Sequence, residues 1–214
     1  MKRIKEEFLN EVEKEITLSG KNILEIGCGN GSRSAQIANR CRYLVALDPA
    51  PELIALANQH NHVGNIEYVL GKAENLVFPN KQFDAVVFTL SLHHVPIEKM
   101  SKAIDEAVRV TKKDGYIIFL EPTEEGTFFE AEIAFDACDG DERANKRTAY
   151  QALKNYRGYQ NIVEQSDETI FQFDSFEDFV TTLKPKKNIS KIKDFLEKNG
   201  FVLRASRRIN IFKV

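Results

Sequence analysis

The chain has 214 residues, 43% hydrophobic and 29% charged, with a formal net charge of −2, a size that suits one domain with a substantial core. Cys28, Cys41 and Cys138 are odd in number and lack C-x-x-C spacing, which excludes a disulfide framework and a structural zinc site as readings. No run approaches the roughly 18 apolar residues of a membrane span, and the amino terminus is charged from the start, so a soluble cytoplasmic protein is expected.

Ile4, Phe8, Val12 and Ile16 recur every four residues, predicting an amphipathic helix over 3–16 that ends near Ser19-Gly20. A short apolar strand over 22–26 then empties into Gly27-Cys28-Gly29-Asn30-Gly31, where every second residue is glycine. Such a loop can turn sharply into a helix, bring backbone close to a ligand and leave N–H groups free at the helix start. Dinucleotide sites use G-x-G-x-x-G with an acid about 20 residues on. Here Ser32 stands where the third glycine would, and the glycines run G-x-G-x-G.

The acid does arrive, because Asp48 ends the apolar run Tyr43-Leu44-Val45-Ala46-Leu47, a second buried strand. A carboxylate there can accept both hydroxyls of a ribose, so the two features fit a nucleoside without phosphate better than they fit NAD. The plainer alternatives are a turn that only packs helix on sheet, and Asp48 as the cap of a helix starting at Pro51.

Strands at 22–26, 43–47, 66–70, 84–88 and 116–120 alternate with helical stretches at 32–39, 51–60 and 97–111, the last with Ile97, Met100, Ile104 and Ala107 or Val108 on one face. This order demands a doubly wound α/β fold, a Rossmann-like parallel sheet with helices on both faces. Ligands in such sheets bind beyond the carboxyl ends of the strands, where Glu25, Asp48, Thr89 and Glu121 stand.

After Pro122 the pattern changes for about 65 residues, too long for a connector. Helices are expected at 127–138, 141–156 and 175–183, with extended segments near 160–165 and 168–173. Ten of the 21 aromatic residues fall between 123 and 188, which predicts a cap whose rings mostly form its own core while a few face the cleft. A final helix at 190–199 and strands at 201–206 and 209–213 follow. Residues 184–214 hold ten Lys or Arg against two acids, a surplus of eight, so the rest of the chain stands at −10. That asymmetry can mark an anionic partner, or it is a solvated face in which Arg204, Arg207 and Arg208 pair with acids elsewhere.

Five segments in order resemble the class I S-adenosylmethionine-dependent methyltransferases: Glu25-Ile26-Gly27-Cys28-Gly29-Asn30-Gly31, Val45-Ala46-Leu47-Asp48-Pro49, Gly71-Lys72-Ala73-Glu74-Asn75-Leu76-Val77-Phe78, residues 83–95, and residues 109–122. The wording is most similar to the small-molecule branch that includes ubiquinone and menaquinone biosynthesis methyltransferases, and the similarity ends near Pro122. The resemblance implies a seven-stranded, mostly parallel sheet with a cap inserted after the fifth strand. Residues 1–122 and 189–214 would form the S-adenosylmethionine-binding domain, and 123–188 the cap over the substrate.

By the same resemblance Glu25, Gly27, Cys28, Gly29 and Asn30 surround the methionyl part of the donor, with Glu25 favouring its ammonium group; the alternative for Glu25 is an internal ion pair. Asp48 takes the ribose and Pro49 shapes the adenine slot. Lys72 replaces the family's aspartate and cannot accept from the adenine amino group, which leaves Ala73 backbone or Glu74 for that contact, unless Glu74 is a solvated loop acid. Leu90 and Ser91 pass the adenosyl and methionyl groups. His93 and His94 at the cleft mouth are the catalytic candidates, though adjacent histidines do not easily both face a cleft and a packing role at a helix start is the alternative. His60 and His62 read as surface turn residues, and no metal is expected.

The N-P-P-Y and D-P-P-Y motifs of amine-directed nucleic acid methylases are missing after strand four, where Thr89-Leu90-Ser91-Leu92 stands, and so is the Pro-Cys nucleophile of cytosine C5 enzymes. The leading expectation is therefore an O-, C- or N-methyltransferase of a small-molecule acceptor, with S-adenosylmethionine as donor and S-adenosylhomocysteine as product. The competing expectations are an RNA or protein methyltransferase using the basic carboxyl-terminal strip, and a non-catalytic S-adenosylmethionine-binding module.

Overall fold

The computed structural model describes residues 1–61 and 63–214, so the expectation for His62 lies outside the described residues. Eight strands form one sheet: β1 (Lys2–Glu6), β2 (Asn22–Ile26), β3 (Tyr43–Asp48), β4 (Ile66–Leu70), β5 (Phe83–Thr89), β6 (Thr111–Pro122), β7 (Gln160–Gln172) and β8 (Val202–Lys213). Their order is β1-β7-β8-β6-β5-β2-β3-β4, with β4, β3, β2, β5 and β6 parallel and β8 antiparallel to both β6 and β7. The order reverses between β2 and β3 on one side and β5 on the other, the crevice where a doubly wound sheet takes its ligand.

The strands have period-two side chains, and both faces are buried. Leu24, Ile26, Val45, Leu47, Val86 and Phe88 pack on one face against α4 (Met100–Val110), whose Met100, Ala103, Ile104, Ala107 and Val110 are all buried. Ile23, Leu44, Ala46, Ala85 and Val87 face the other way, against α1 (Phe8–Glu15) and α2 (Ser34–Ala38). The third helix of this layer pattern, α3 (Pro51–His60), starts on the proline, as its fixed φ favours.

The amino terminus differs from the expected helix over 3–16. Phe8, Leu9, Val12 and Ile16 are buried as the spacing requires, but residues 2–6 form the edge strand β1, paired antiparallel with β7, and Ile4 is exposed. Strand pairing and ion pairs from Arg3 and Glu6 override a four-residue spacing that extended one turn too far. The sheet has eight strands where seven were expected, because β1 and β7 join it and the two strands expected over 201–213 are one.

The expected cap also divides. Helices α5 (Thr127–Phe135), α6 (Arg143–Asn155) and α7 (Phe176–Leu183) come close to their expected positions, but 160–172 is one continuous strand of the central sheet. Likewise 202–213 is one strand, not two, and the helix before it, α8 (Ile192–Lys198), is shorter than expected. Two long neighbours hold each other by a ladder broken only by a register shift between Asn161 and Val163, a constraint no local pattern reveals. Phe135, Phe171, Phe173 and Phe179 form a third core with Leu196 and Leu203.

Candidate donor and acceptor cavities

Gly27 leaves β2 at φ 78°, and the exit of β5 passes directly over it: a Cβ there would stand 2.1 Å from the Cβ of Ser91. The glycine is therefore demanded by the neighbouring strand. Four of the loop's amides are spent internally. Gly27 and Cys28 both donate to the carbonyl of Leu47, Gly31 donates to that of Cys28, and Gly29 donates to Asp48 Oδ2 at 2.9 Å. A loop wired this way offers little to a pyrophosphate, which fits a ligand without phosphate.

Asp48 closes the same structure from β3. Its Oδ1 accepts from the Ala50 N–H at 2.9 Å, two residues on, while Ala50 itself is the cap residue of α3. Each carboxylate oxygen has a second lone pair, so both can also accept from a ligand hydroxyl. Asp48 is therefore not the cap of α3; it holds the backbone of the residue that is.

Asp48 lies in the wall of a cavity of about 530 Å³, with Gly27, Gly29, Pro49, Ala73, Glu74, Leu90 and Ser91 around it. All were expected here from the sequence. Leu53, Val95, Pro96 and Lys99 complete the wall and carried no sequence signal. Lys72 lines it too, and Glu74 is not a solvated loop acid: it is buried and accepts from Lys99 Nζ at 3.2 Å. Burial pushes the Glu74 carboxyl up, but its own loop's N–H and the charges of Lys99 and Lys72 outweigh this and hold it below its ordinary value.

Three expected residues do not reach this wall. Cys28 is buried among the residues of the α1 and α2 side, and burial raises its thiol. Asn30 turns away, its carbonyl accepting from Asn61 and its side chain from Ser32 N–H. Glu25 lies on the α2 face of β2, because its neighbours Leu24 and Ile26 occupy the cavity face. It is fully buried and accepts from Ser34 Oγ at 2.5 Å and Thr89 Oγ1 at 2.8 Å, two hydroxyls instead of the ion pair considered for it. Burial drives its carboxyl above the ordinary range.

Leu90 leaves β5 in the left-handed region, φ 57°, a conformation that favours glycine and that a leucine adopts only where surroundings enforce it. Its N–H donates to Leu120, and Ser91 Oγ donates to the carbonyl of Ile26 at 2.6 Å. The distorted residue forms part of two walls, since it also lines a second cavity of about 300 Å³. His94 is shared in the same way.

Both histidines face this second cavity, although adjacent residues were not expected to. A 3-10 turn over Leu92–His94 makes this possible, with ring centroids 4.1 Å apart. His93 is buried, its Nδ1 2.5 Å from Glu121 Oε2, while Glu121 Oε1 accepts from the N–H groups of Ser91 and Leu92. Glu142, which precedes α6, stands 3.3 Å from His94 Nδ1 and raises that imidazole against the opposing effect of burial. Glu142 carried no sequence signal. Phe128, Phe129 and Phe171 give the second cavity an apolar side, and Arg3, Arg33 and Arg207 line another part of it.

The doubly wound sheet, with its cleft at the reversal and its glycine loop facing Asp48, is the architecture of the Rossmann-like methyltransferases. Residues 24–119 match a family model described as a methyltransferase domain. The phthiotriol/phenolphthiotriol dimycocerosates methyltransferase 1 of Mycobacterium ulcerans is 31% identical over 123 residues, 56% of this chain and 45% of that protein. The fatty-acid O-methyltransferase of Mycolicibacterium smegmatis is 31% identical over 106 residues, 49% of this chain and 38% of that protein. The matched segment thus spans under half the length of these relatives. Among solved structures, a SAM-dependent methyltransferase of Methanosarcina mazei superposes with a TM-score of 0.62 at 16% identity, covering 95% of this chain and 96% of that one. The cyclase SpnF superposes with 0.60 at 15%, covering 95% and 80%, so likeness at this level shows the fold alone.

Proposed function

We propose that the chain is an S-adenosylmethionine-dependent methyltransferase of a small-molecule acceptor, with the donor in the larger cavity and the acceptor in the smaller. The observation that carries this reading is the meeting of the two cavities at Leu90 and His94, with Asp48 in the wall of the larger one. The larger cavity fits the donor: Asp48 accepts from ribose hydroxyls, Leu47, Leu53, Pro49 and Val95 provide an apolar slot for the base, and Gly27 lets backbone approach. Cys28, Asn30 and Glu25 support the loop from behind. Glu25, shut off from the cavity, serves by holding Ser34 and Thr89.

When bound, the donor supplies a methyl group on a cationic sulfonium, so charge is dispersed as the group moves. Alignment and exclusion of water then carry much of the rate, and near-attack positioning contributes ~7–11 kcal/mol. In this chain the Leu90 wall aligns the two ligands, and α5 and α6 cap the acceptor side, the part of the 123–188 insertion that remains outside the sheet. His93 and His94, the expected catalytic pair, stand where a proton would leave an acceptor hydroxyl.

Acceptors of the named relatives are a fatty acid and phthiotriol-type compounds. An apolar acceptor bearing an oxygen suits the Phe128, Phe129 and Phe171 side of the smaller cavity. Arg204, Arg207 and Arg208 are paired with Glu168, Asp167 and Glu164, which leaves the basic-strip reading for RNA without three of its charges. A non-transferring binding module is the second reading, favoured by Lys72, which stands in the wall of the larger cavity and cannot accept from an adenine amino group. No described helix is long and apolar enough to cross a membrane.

Calorimetry with S-adenosylhomocysteine tests the donor site. Wild type binds and Asp48→Ala binds at least about tenfold more weakly, the loss of one or two hydrogen bonds to a charged group; equal affinities would remove Asp48 from the site. Radiolabelled methyl transfer to fractionated lipid and metabolite pools separates the enzyme from the module.

A further inference from the structure

The polar groups at the junction of the cavities are arranged around a space that wants a cation. Glu121 accepts three backbone N–H groups, from Ser91, Leu92 and His93, so its carboxylate is fixed beside His93 Nδ1. With Nδ1 donating to Glu121, the opposite nitrogen of that ring, Nε2, presents a lone pair. It faces Glu142 Oε2 at 3.9 Å, another acceptor. Two acceptors facing each other repel unless something positive lies between them.

The third donor is in place. His94 Nδ1 lies 3.3 Å from Glu142 Oε1, and ligand atoms from His93, His94 and Glu142 all fall within 4.8 Å of one another. Donors around a tetrahedral ion with bonds of about 2.1 Å stand about 3.4 Å apart, so sub-ångström to ångström shifts of side chains close the site. Glu132 and Asp139 line the same cavity and add negative charge; of its cations, Lys146 is committed to Glu132 at 3.0 Å and Arg3, Arg33 and Arg207 to Glu6.

We infer that His93, His94 and Glu142 bind one first-row divalent cation at the junction of the two cavities, with Glu121 orienting His93 from behind. Two imidazoles and one carboxylate suit zinc, manganese, iron or cobalt better than magnesium or calcium. A carboxylate behind a ligating histidine is the usual support of such a ligand. Three protein donors leave an open position, as in catalytic sites, and it faces the cavity assigned above to the acceptor. The ion would hold an acceptor oxygen there and ease loss of its proton to solvent. The histidines would then act through the ion instead of as free bases. The binding site stands on its own geometry; only its role in transfer rests on the proposed function.

The test is titration of the chelator-treated full chain with cobalt(II), followed by visible absorption. The expected result is a ligand-field spectrum that saturates at one ion per chain and is erased by zinc. Glu121→Gln weakens cobalt binding about 10- to 100-fold, and Glu142→Gln and His94→Ala weaken it at least as much, each variant checked for native unfolding behaviour. Glu142→Gln, at the cap of α6 and outside the sheet, carries the test should a histidine variant fail to fold. Absence of a saturable spectrum, or a spectrum undiminished in Glu142→Gln, overturns the inference. S-adenosylhomocysteine calorimetry on the same samples reports the donor cavity separately, so failure of one reading is not mistaken for failure of the other.

Discussion

Gly27→Ala tests whether the crossing of two strand exits fixes the loop. An alanine at φ 78° carries a left-handed backbone penalty of about 1–2 kcal/mol. Its Cβ would also stand 2.1 Å from Ser91 Cβ and 2.8 Å from Ser91 Oγ, closer than the 3.0 Å that real Cβ atoms keep. Ser91 must then move, and its 2.6 Å bond to the Ile26 carbonyl breaks, worth about 0.5–1.5 kcal/mol. The sum is about 1.5–3.5 kcal/mol, which for a chain of this size lowers Tm by about 3–14 °C in calorimetry. The decisive measurement is the double-mutant cycle with Ser91→Gly, which removes the colliding atoms. Gly27→Ala should cost only its backbone penalty in that background, a coupling of about 0.5–1.5 kcal/mol. An undiminished penalty would refute the steric argument and leave only the requirement for positive φ.

Three further outcomes follow from buried charge and burial. Because Glu25 is raised above its ordinary value in the fold, its contribution to stability is intact below about pH 4.5 and is lost as pH rises through the folded value. Glu25→Gln, whose side chain stays neutral, should therefore gain on wild type as pH rises from 4 to 8, and denaturant midpoints that keep a constant difference would contradict this. The buried Arg207 guanidinium links β8 to Glu6 of β1 and Asp167 of β7, so Arg207→Ala strands two carboxylates and costs about 3–5 kcal/mol. Amide hydrogen exchange over residues 2–6 should accelerate in this variant more than in the parallel strands. All three thiols are raised by burial, Cys41 to about 11 and Cys138 to about 12, and Cys28 likewise. At pH 8 the Cys41 thiolate fraction is thus ~10⁻³, and mass spectrometry should find iodoacetamide labelling only after unfolding; rapid native labelling would refute the assignment.

The alternation of short apolar runs with helical spacing is written locally, because side-chain periods of 2 and 3.6 residues are properties of adjacent residues. From that alone came the doubly wound sheet, the crevice at its reversal, α4 with its buried face, and Asp48 opposite the glycine loop. Which side of β2 carries Glu25 was equally legible in principle, since Leu24 and Ile26 bracket it. A chemical role suggested by resemblance drew the glutamate toward the ligand, while the period places it against Ser34 and Thr89.

Other features were decided only by contacts between distant parts of the chain. Residues 2–6 became a strand because β7 offered an edge, and 160–172 joined the sheet because β8 paired with its whole length. Gly27 owes its necessity to Ser91, 64 residues away, and the Glu142 carboxylate meets His93 and His94 across about 50 residues. Sequence patterns report which face of an element is buried; they do not report what arrives opposite it. The crevice at the reversal of the sheet lies where local periodicity and strand order coincide, so the sequence determined it. The junction of the cavities is assembled from the 3-10 turn over Leu92–His94, a strand end and a helix start, and only the folded chain brings those together.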